Sequence, residues 1–214
     1  MRKLLYSNGS PFARRVRIVL FEKQLAYEAD VNDALRPIDE IKAHNPALKV
    51  PVLYDQGRQL FDSNLILQYL FATYPTPLGD SVGVPLAPTV TRSDQHWDDS
   101  LTLQAIEAAS DALVNVRLMA GANRESVPFI GRQITRIETC LDWLDQRCTS
   151  EGFWPGTFSV MDINLMCPLL FGESRGVFDF RAGRWPSVTN MIDHWQSRPS
   201  VAATRLNDLP RVAS

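Results

Sequence analysis

The 214-residue chain has only three cysteines, Cys140, Cys148 and Cys167, an odd and sparse set that supplies no disulfide framework. Neither they nor the three histidines, His44, His96 and His194, fall at metal-ligand spacing, so no metal is expected. No apolar run approaches the ~20 residues that span a bilayer. No basic, apolar and small-residue succession of a secretory leader opens the sequence, and the expected compartment is the cytoplasm. An excess of charge of one sign is also missing. A net charge of −2 and a pI near 5.9 give no reason to expect nucleic acid or an anionic membrane as partner. No repeat of 20–50 residues is present. What is there is 45% hydrophobic and 21% charged, the composition of an ordinary folded chain. Its length fits one large domain or two small ones.

Hydrophobic periodicity divides the chain in two. Lys3 to Tyr6 reads as a short buried strand closed by the turn residues Ser7, Asn8 and Gly9. A helix is expected from Pro11, because proline is tolerated where first-turn amides lack partners. Val16, Val19 and Leu20 recur on it at helical spacing. Arg14, Arg15 and Arg17 stand between them, as a solvated face or as a steering field for anions. Tyr27 to Val31 predicts a second strand and Arg36 to Lys42 a helical turn or short helix. Val50 to Tyr54 and Gln59 to Phe61 predict a hairpin around Asp55-Gln56-Gly57. Ser63 to Tyr74 predicts a helix with Leu65, Ile66, Tyr69 and Leu70 on one face. The order is β-α-β-α-β-β-α.

Pro75 to Pro88 is rich in proline, lacks periodicity and reads as a linker. Beyond it the pattern is helical: from about Thr89 past Met119, from Pro128 to Arg147, from Val160 to Phe171 and from Ser187 to Ser197. The expected fold class is an α/β domain followed by an all-α domain, with boundaries at 1–75, 76–88 and 89–214. Ser159-Val160-Met161-Asp162 is a capping box, with Phe158 before it as a staple.

Three segments carry the chemistry: Ser10-Pro11-Phe12 at the strand-to-helix junction, Lys49-Val50-Pro51-Val52-Leu53, and Asp62-Ser63. Together they resemble the glutathione-binding half of the soluble glutathione transferases, a family related to thioredoxin. Trp185-Pro186-Ser187 through Arg198-Pro199 resembles the late helix of the same family, so the likeness covers nearly the whole chain. It implies a thioredoxin-like N-terminal domain, glutathione as co-substrate with no other cofactor, a small hydrophobic electrophile and a homodimer. Ser10 and Ala13 stand where thioredoxin has its two cysteines, which excludes dithiol exchange at this junction.

By the same resemblance Ser10 is the catalytic residue, donating a hydrogen bond that favours the glutathione thiolate. A charge-assisted bond of this kind is about twice as strong as a neutral one. The competing reading makes Ser10 a helix cap. Ser7 is a rival donor, and Tyr6 a weaker one that is expected to pack inward. Val50-Pro51 matches the family's cis-proline pair, whose backbone meets the cysteinyl unit. Asn45-Pro46-Ala47-Leu48-Lys49 departs from the family's Asn-Pro-x-Gly-Lys at Leu48, a change expected to reshape the loop around Lys49. Asp62 would take the γ-glutamyl ammonium, while Ser63 and the first helix amides would take its carboxylate. Glutamate or glutamine is usual at position 62, so Asp62 is a methylene short. Phe12, Arg14, His96, Trp97 and Leu101 are the expected walls for the second substrate, although Trp97 and Leu101 also read as helix–helix core. Two other functions remain open: a non-catalytic interaction module, and a glutathione-dependent isomerase or dehalogenase. Isomerase members carry a Ser-Ser-Cys turn that Ser7-Asn8-Gly9-Ser10 lacks.

Overall fold

The computed structural model describes residues 1–32, 38–75, 86–87, 96–119 and 128–206. The chain forms two compact units, Met1–Pro77 with Pro199–Ser214, and Leu78–Arg198. The C-terminal segment from Pro199 thus belongs with the first unit, whereas the sequence pattern had grouped it with the second.

In the first unit the strands β1 (Lys3–Tyr6), β2 (Glu28–Val31), β3 (Val52–Asp55) and β4 (Arg58–Phe61) make one sheet in the order β2-β1-β3-β4. β2 runs parallel to β1, and the other two pairings are antiparallel. Gln56 and Gly57 close the β3–β4 hairpin, both with positive φ (48° and 74°), as a two-residue turn between right-twisted strands requires. Helix α1 (Pro11–Glu22) packs on α3 (Ser63–Thr73). Leu4, Leu5, Val16, Val19, Leu20, Val52, Leu53, Ile66 and Leu70 have no exposed surface and form the core. The short α2 is Ile38–His44, and the start expected for it at Arg36 lies outside the described residues. α8 (Pro199–Ala203) also packs on α1.

The second unit is helical: α4 (His96–Leu118), α5 (Pro128–Asp145), α6 (Val160–Ser174) and α7 (Pro186–Trp195). The expected beginning of α4 near Thr89 falls outside the described residues. α6 buries side chains on every face and contacts α4 and α7, which explains its lack of amphipathic pattern. Its Gly172 lies against Leu113 of α4, where an added Cβ would come within 2.9 Å. Within the stretch that reads as a linker, Leu86–Ala87 form β5, paired in parallel with β6 (Phe158–Ser159). Among the described residues no helix is long and apolar enough to cross a membrane.

The capping box at the start of α6 is complete and fully buried. Asp162 Oδ2 accepts from Ser159 N and Ser159 Oγ (both 2.7 Å), and Oδ1 accepts from Phe153 N (3.0 Å). In return Asp162 N donates to Ser159 Oγ. Burial pushes the Asp162 carboxyl up to about 6, against the pull of these bonds. In the unfolded chain it ionises near its ordinary 3.8. Between those values the unfolded state binds fewer protons, so stability from this group is full below 3.8 and is lost as pH rises through 6, a difference on the order of 3 kcal/mol. Asp162→Ala, which removes every bond of the box, is expected to cost at least about 2 kcal/mol at pH 7. Denaturant titrations at pH 4 and 7 should give the larger cost at pH 4, and the reverse order would contradict a neutral buried carboxyl.

Candidate functional site

Strand register brings the three sequence segments to one end of the sheet. Leu5 pairs with Val52, and Val52 pairs with Phe61. The chain leaving β1, the chain entering β3 and the chain leaving β4 therefore emerge side by side. These are Ser7–Phe12, Leu48–Pro51 and Asp62–Ser63.

At the first segment Ser10 is the N-cap of α1, with Oγ accepting from Ala13 N at 3.2 Å. The cap uses an oxygen lone pair and leaves the hydroxyl proton to donate elsewhere. Capping and donation to a ligand are thus compatible. Ser7 Oγ accepts from Gly9 N (3.2 Å), and Ser7 O receives Ser10 N (3.1 Å), so both serines shape one turn. Tyr6 is buried as expected, with the Arg17 guanidinium over its ring. Phe12 is half-buried beneath the Arg15 guanidinium, 4.8 Å from ring centroid to Cζ.

The arginines of α1 are the main correction to the sequence reading. Arg14 and Arg15 are 3% and 0% exposed, so they form neither a solvated face nor a steering field. Arg14 Nη2 donates to Val201 O (3.1 Å) at α8, which removes Arg14 from the expected second-substrate wall. Arg15 Nη1 reaches Ser63 Oγ at 3.5 Å, linking the start of α3 to α1. Their tolerance follows from guanidinium chemistry: planar, weakly hydrated and able to stack on a ring while donating in its plane.

The second segment has a cis Val50–Pro51 bond. Leu48 keeps a left-handed φ of 57°, the conformation for which glycine is the usual residue, so the departure at this position leaves the turn in place. Asn45 holds the loop: Ala47 N donates to its Oδ1 (2.8 Å), and its Nδ2 donates to Lys49 O (2.7 Å). The Lys49 side chain stands in solvent. At the third segment Asp62 has φ 72° and ψ 121°, a sparsely populated region for any residue but glycine. Its Oδ1 accepts from Asn64 N and Leu65 N (3.0 Å each). Two of the first-turn amides expected to await a ligand carboxylate are therefore occupied, which leaves the amide and hydroxyl of the buried Ser63.

His96, Trp97 and Leu101 lie in the first turns of α4, in the second unit. Trp97 is 77% and Leu101 58% exposed, so neither is helix–helix core, and the His96 ring meets that of Trp97 edge-on. Leu101 also lines a cavity of about 580 Å³ within that unit, together with Asp99, Thr102, Trp143, Trp154 and Met161. The sequence held no signal for this set, because its members come from three helices and a loop. Among the described residues no group of three histidine, cysteine, aspartate or glutamate side chains is placed to hold a metal ion.

Residues 4–78 match the family model of the glutathione S-transferase N-terminal domain. Over 210 residues the chain is 29% identical to the uncharacterized GST-like protein YibF of Escherichia coli K12, covering 94% of this chain and 97% of that one. A glutathione S-transferase from Methylobacillus flagellatus KT, solved with glutathione bound, superposes with a TM-score of 0.78 at 25% identity, over 96% of this chain and 99% of that one. One from Methylobacterium radiotolerans JCM 2831, in complex with glutathione sulfonate, gives 0.78 at 26% identity over 100% and 98%.

The exposed Leu48 pays a left-handed penalty that glycine would not. Leu48→Gly is expected to raise stability by about 0.5–1 kcal/mol after the greater freedom of the unfolded chain is subtracted. Urea denaturation would check it, and a loss would mean that the leucine side chain makes a compensating contact.

Proposed function

We propose that this chain, which belongs to the glutathione S-transferase family, is a glutathione transferase that holds the tripeptide at the shared end of its sheet and joins the sulfur to a small hydrophobic electrophile. Ser10 is the thiolate donor in this reading. Its position at the N-terminus of α1 adds the positive end of the helix dipole to one hydroxyl hydrogen bond, and both favour the anion. The Val50 backbone beside the cis-proline takes the cysteinyl unit, Lys49 stands at the loop edge, and Asp62 with Ser63 takes the γ-glutamyl end. Phe12 is the proposed contact for the electrophile in the first unit, and two copies of the chain form the proposed homodimer. No nucleophilic role is assigned to Ser10.

The observation that carries this reading is the Ser10 hydroxyl itself: its oxygen is held by Ala13 N while its proton is left to give. Transfer then proceeds by positioning and thiolate stabilisation, the sulfur attacking the electrophilic carbon as the leaving group departs. A free thiol ionises near 8.5, and a helix N-terminus can lower that by a unit or more.

Calorimetry with glutathione is the first test, since no binding at millimolar ligand would remove the transferase reading. For the bound ligand, Ser10→Ala is expected to raise the thiol pKa by about one unit, equivalent to about 1.4 kcal/mol. Thiolate absorbance against pH would show it. Ser7→Ala is expected to leave that pKa in place, and the opposite pattern would transfer the donor role to Ser7.

A further inference from the structure

The cavity of about 580 Å³ in the second unit contains none of the residues of the candidate glutathione site. Its volume falls within the roughly 300–1,000 Å³ of small-molecule sites. Aromatic rings make much of its wall: Trp143 from α5, and Phe153 and Trp154 from the connection between α5 and α6. Hydrogen bonds hold that connection in place. Thr149 and Gly152 each donate a backbone N–H to the other's carbonyl (3.0 and 3.1 Å). Trp195 Nε1 donates to Glu151 O (3.0 Å), and Phe153 N donates to Asp162 Oδ1 (3.0 Å). Gly152, at φ 117°, lies so close to Asp162 that an added Cβ would stand 2.5 Å from Oδ1. The aromatic wall is thus formed before a ligand arrives, and little ordering cost falls on binding.

Charges of both signs line the cavity, differently placed. Arg147 lies on the Trp143 ring, with Cζ 3.5 Å from the centroid, and its Nη1 donates to Trp143 O at 3.0 Å. The guanidinium covers one indole face and shows which sign of charge that face accepts. Asp98 and Asp99, in the first turn of α4, bring two carboxylates. Asp98 stands in solvent, whereas Trp154 is 9% exposed. The cavity is acidic at its exposed edge and aromatic where it is buried.

We propose that this cavity binds a planar aromatic cation, with its rings against Phe153 and Trp154 and its ammonium at Asp98. An ammonium placed there keeps part of its hydration, so the pair escapes the full desolvation cost of a buried one. The rings lose water against aromatic faces, whose negative quadrupole favours a positively charged partner. An aromatic carboxylate of the same shape would meet two like charges instead. Binding here makes no covalent bond and is independent of the glutathione reading.

Three probes with one ring system separate charge from shape: naphthylmethylammonium, naphthylmethanol and naphthylacetate. Calorimetry near pH 7 at low ionic strength is expected to rank them in that order, the cation binding at least about tenfold more tightly than the anion. Added salt should narrow that gap. Asp98→Lys reverses the charge at an exposed position and is expected to keep the fold. It should invert the ranking of cation and anion while changing the alcohol by less than about twofold. Phe153→Ala should weaken all three probes alike, by about fivefold, as the loss of one ring contact implies. Should Phe153→Ala not fold, the inversion by Asp98→Lys decides. Equal affinity for the three probes, or no binding of the cation at millimolar concentration, would overturn the proposal. A ranking that survives Asp98→Lys would overturn it too, because the probe would then sit elsewhere.

Discussion

The candidate site depends on the burial of α1. This helix of twelve residues hides most of its side chains, among them Arg14 and Arg15. A guanidinium taken out of water must be given hydrogen-bond acceptors and polarisable neighbours, or its desolvation is uncompensated. Here the acceptors come from elsewhere in the first unit, the Val201 carbonyl at α8 and the Ser63 hydroxyl at α3, and the ring of Phe12 comes from α1 itself. Glu22 at the other end of the helix is buried too and bonds to Ser200. The same bonds that make the burial tolerable fix the start of α3 and the C-terminal segment against α1. Stability and site geometry are thus one set of contacts.

Two helix starts, those of α1 and α3, face the same end of the sheet and are capped differently. Ser10 caps with a hydroxyl, which gives up a lone pair and keeps a proton. Asp62 caps with a carboxylate, which gives up half of its accepting capacity and keeps its charge. The first arrangement suits a ligand atom that is to become an anion. The second suits a ligand group that is already a cation. Backbone strain accompanies the second, at a residue facing solvent where no packing rewards it, and strain of this kind gathers at functional positions.

Much of this was legible from the chain. Strands and helices followed from periodicity, the hairpin from Asp55-Gln56-Gly57, and the capping box from Ser159 and Asp162. Most of what failed has one cause, the partner lying far along the chain. Arginine letters between apolar ones signal a wet face, and nothing in Arg14-Arg15 announces a carbonyl 187 residues later. Helix α7 has no cap of its own; Asp145 of α5 accepts from Val188 N instead. The pairing of Leu86–Ala87 with Phe158–Ser159 crosses a similar gap. Leu48 was misjudged for a different reason. Glycine is favoured at a left-handed position by about 1–2 kcal/mol, which a loop held by two Asn45 bonds can absorb.

The spacing between the second and third segments has a structural origin that explains why it could be read at all. Between Pro51 and Asp62 lie a four-residue strand, a two-residue turn and a second four-residue strand. A two-residue turn with both φ values positive admits one register, in which Val52 faces Phe61. Shifting that register by one residue would turn Val52 and Leu53 to opposite faces of the sheet, and both faces here are packed. It would also move Asp62 about 3.3 Å along the sheet, out of step with Pro51. Core packing therefore holds the interval between the second and third candidate segments. A chemical motif assembled from distant residues can leave a fixed spacing in the sequence when a hairpin with a buried face measures it out.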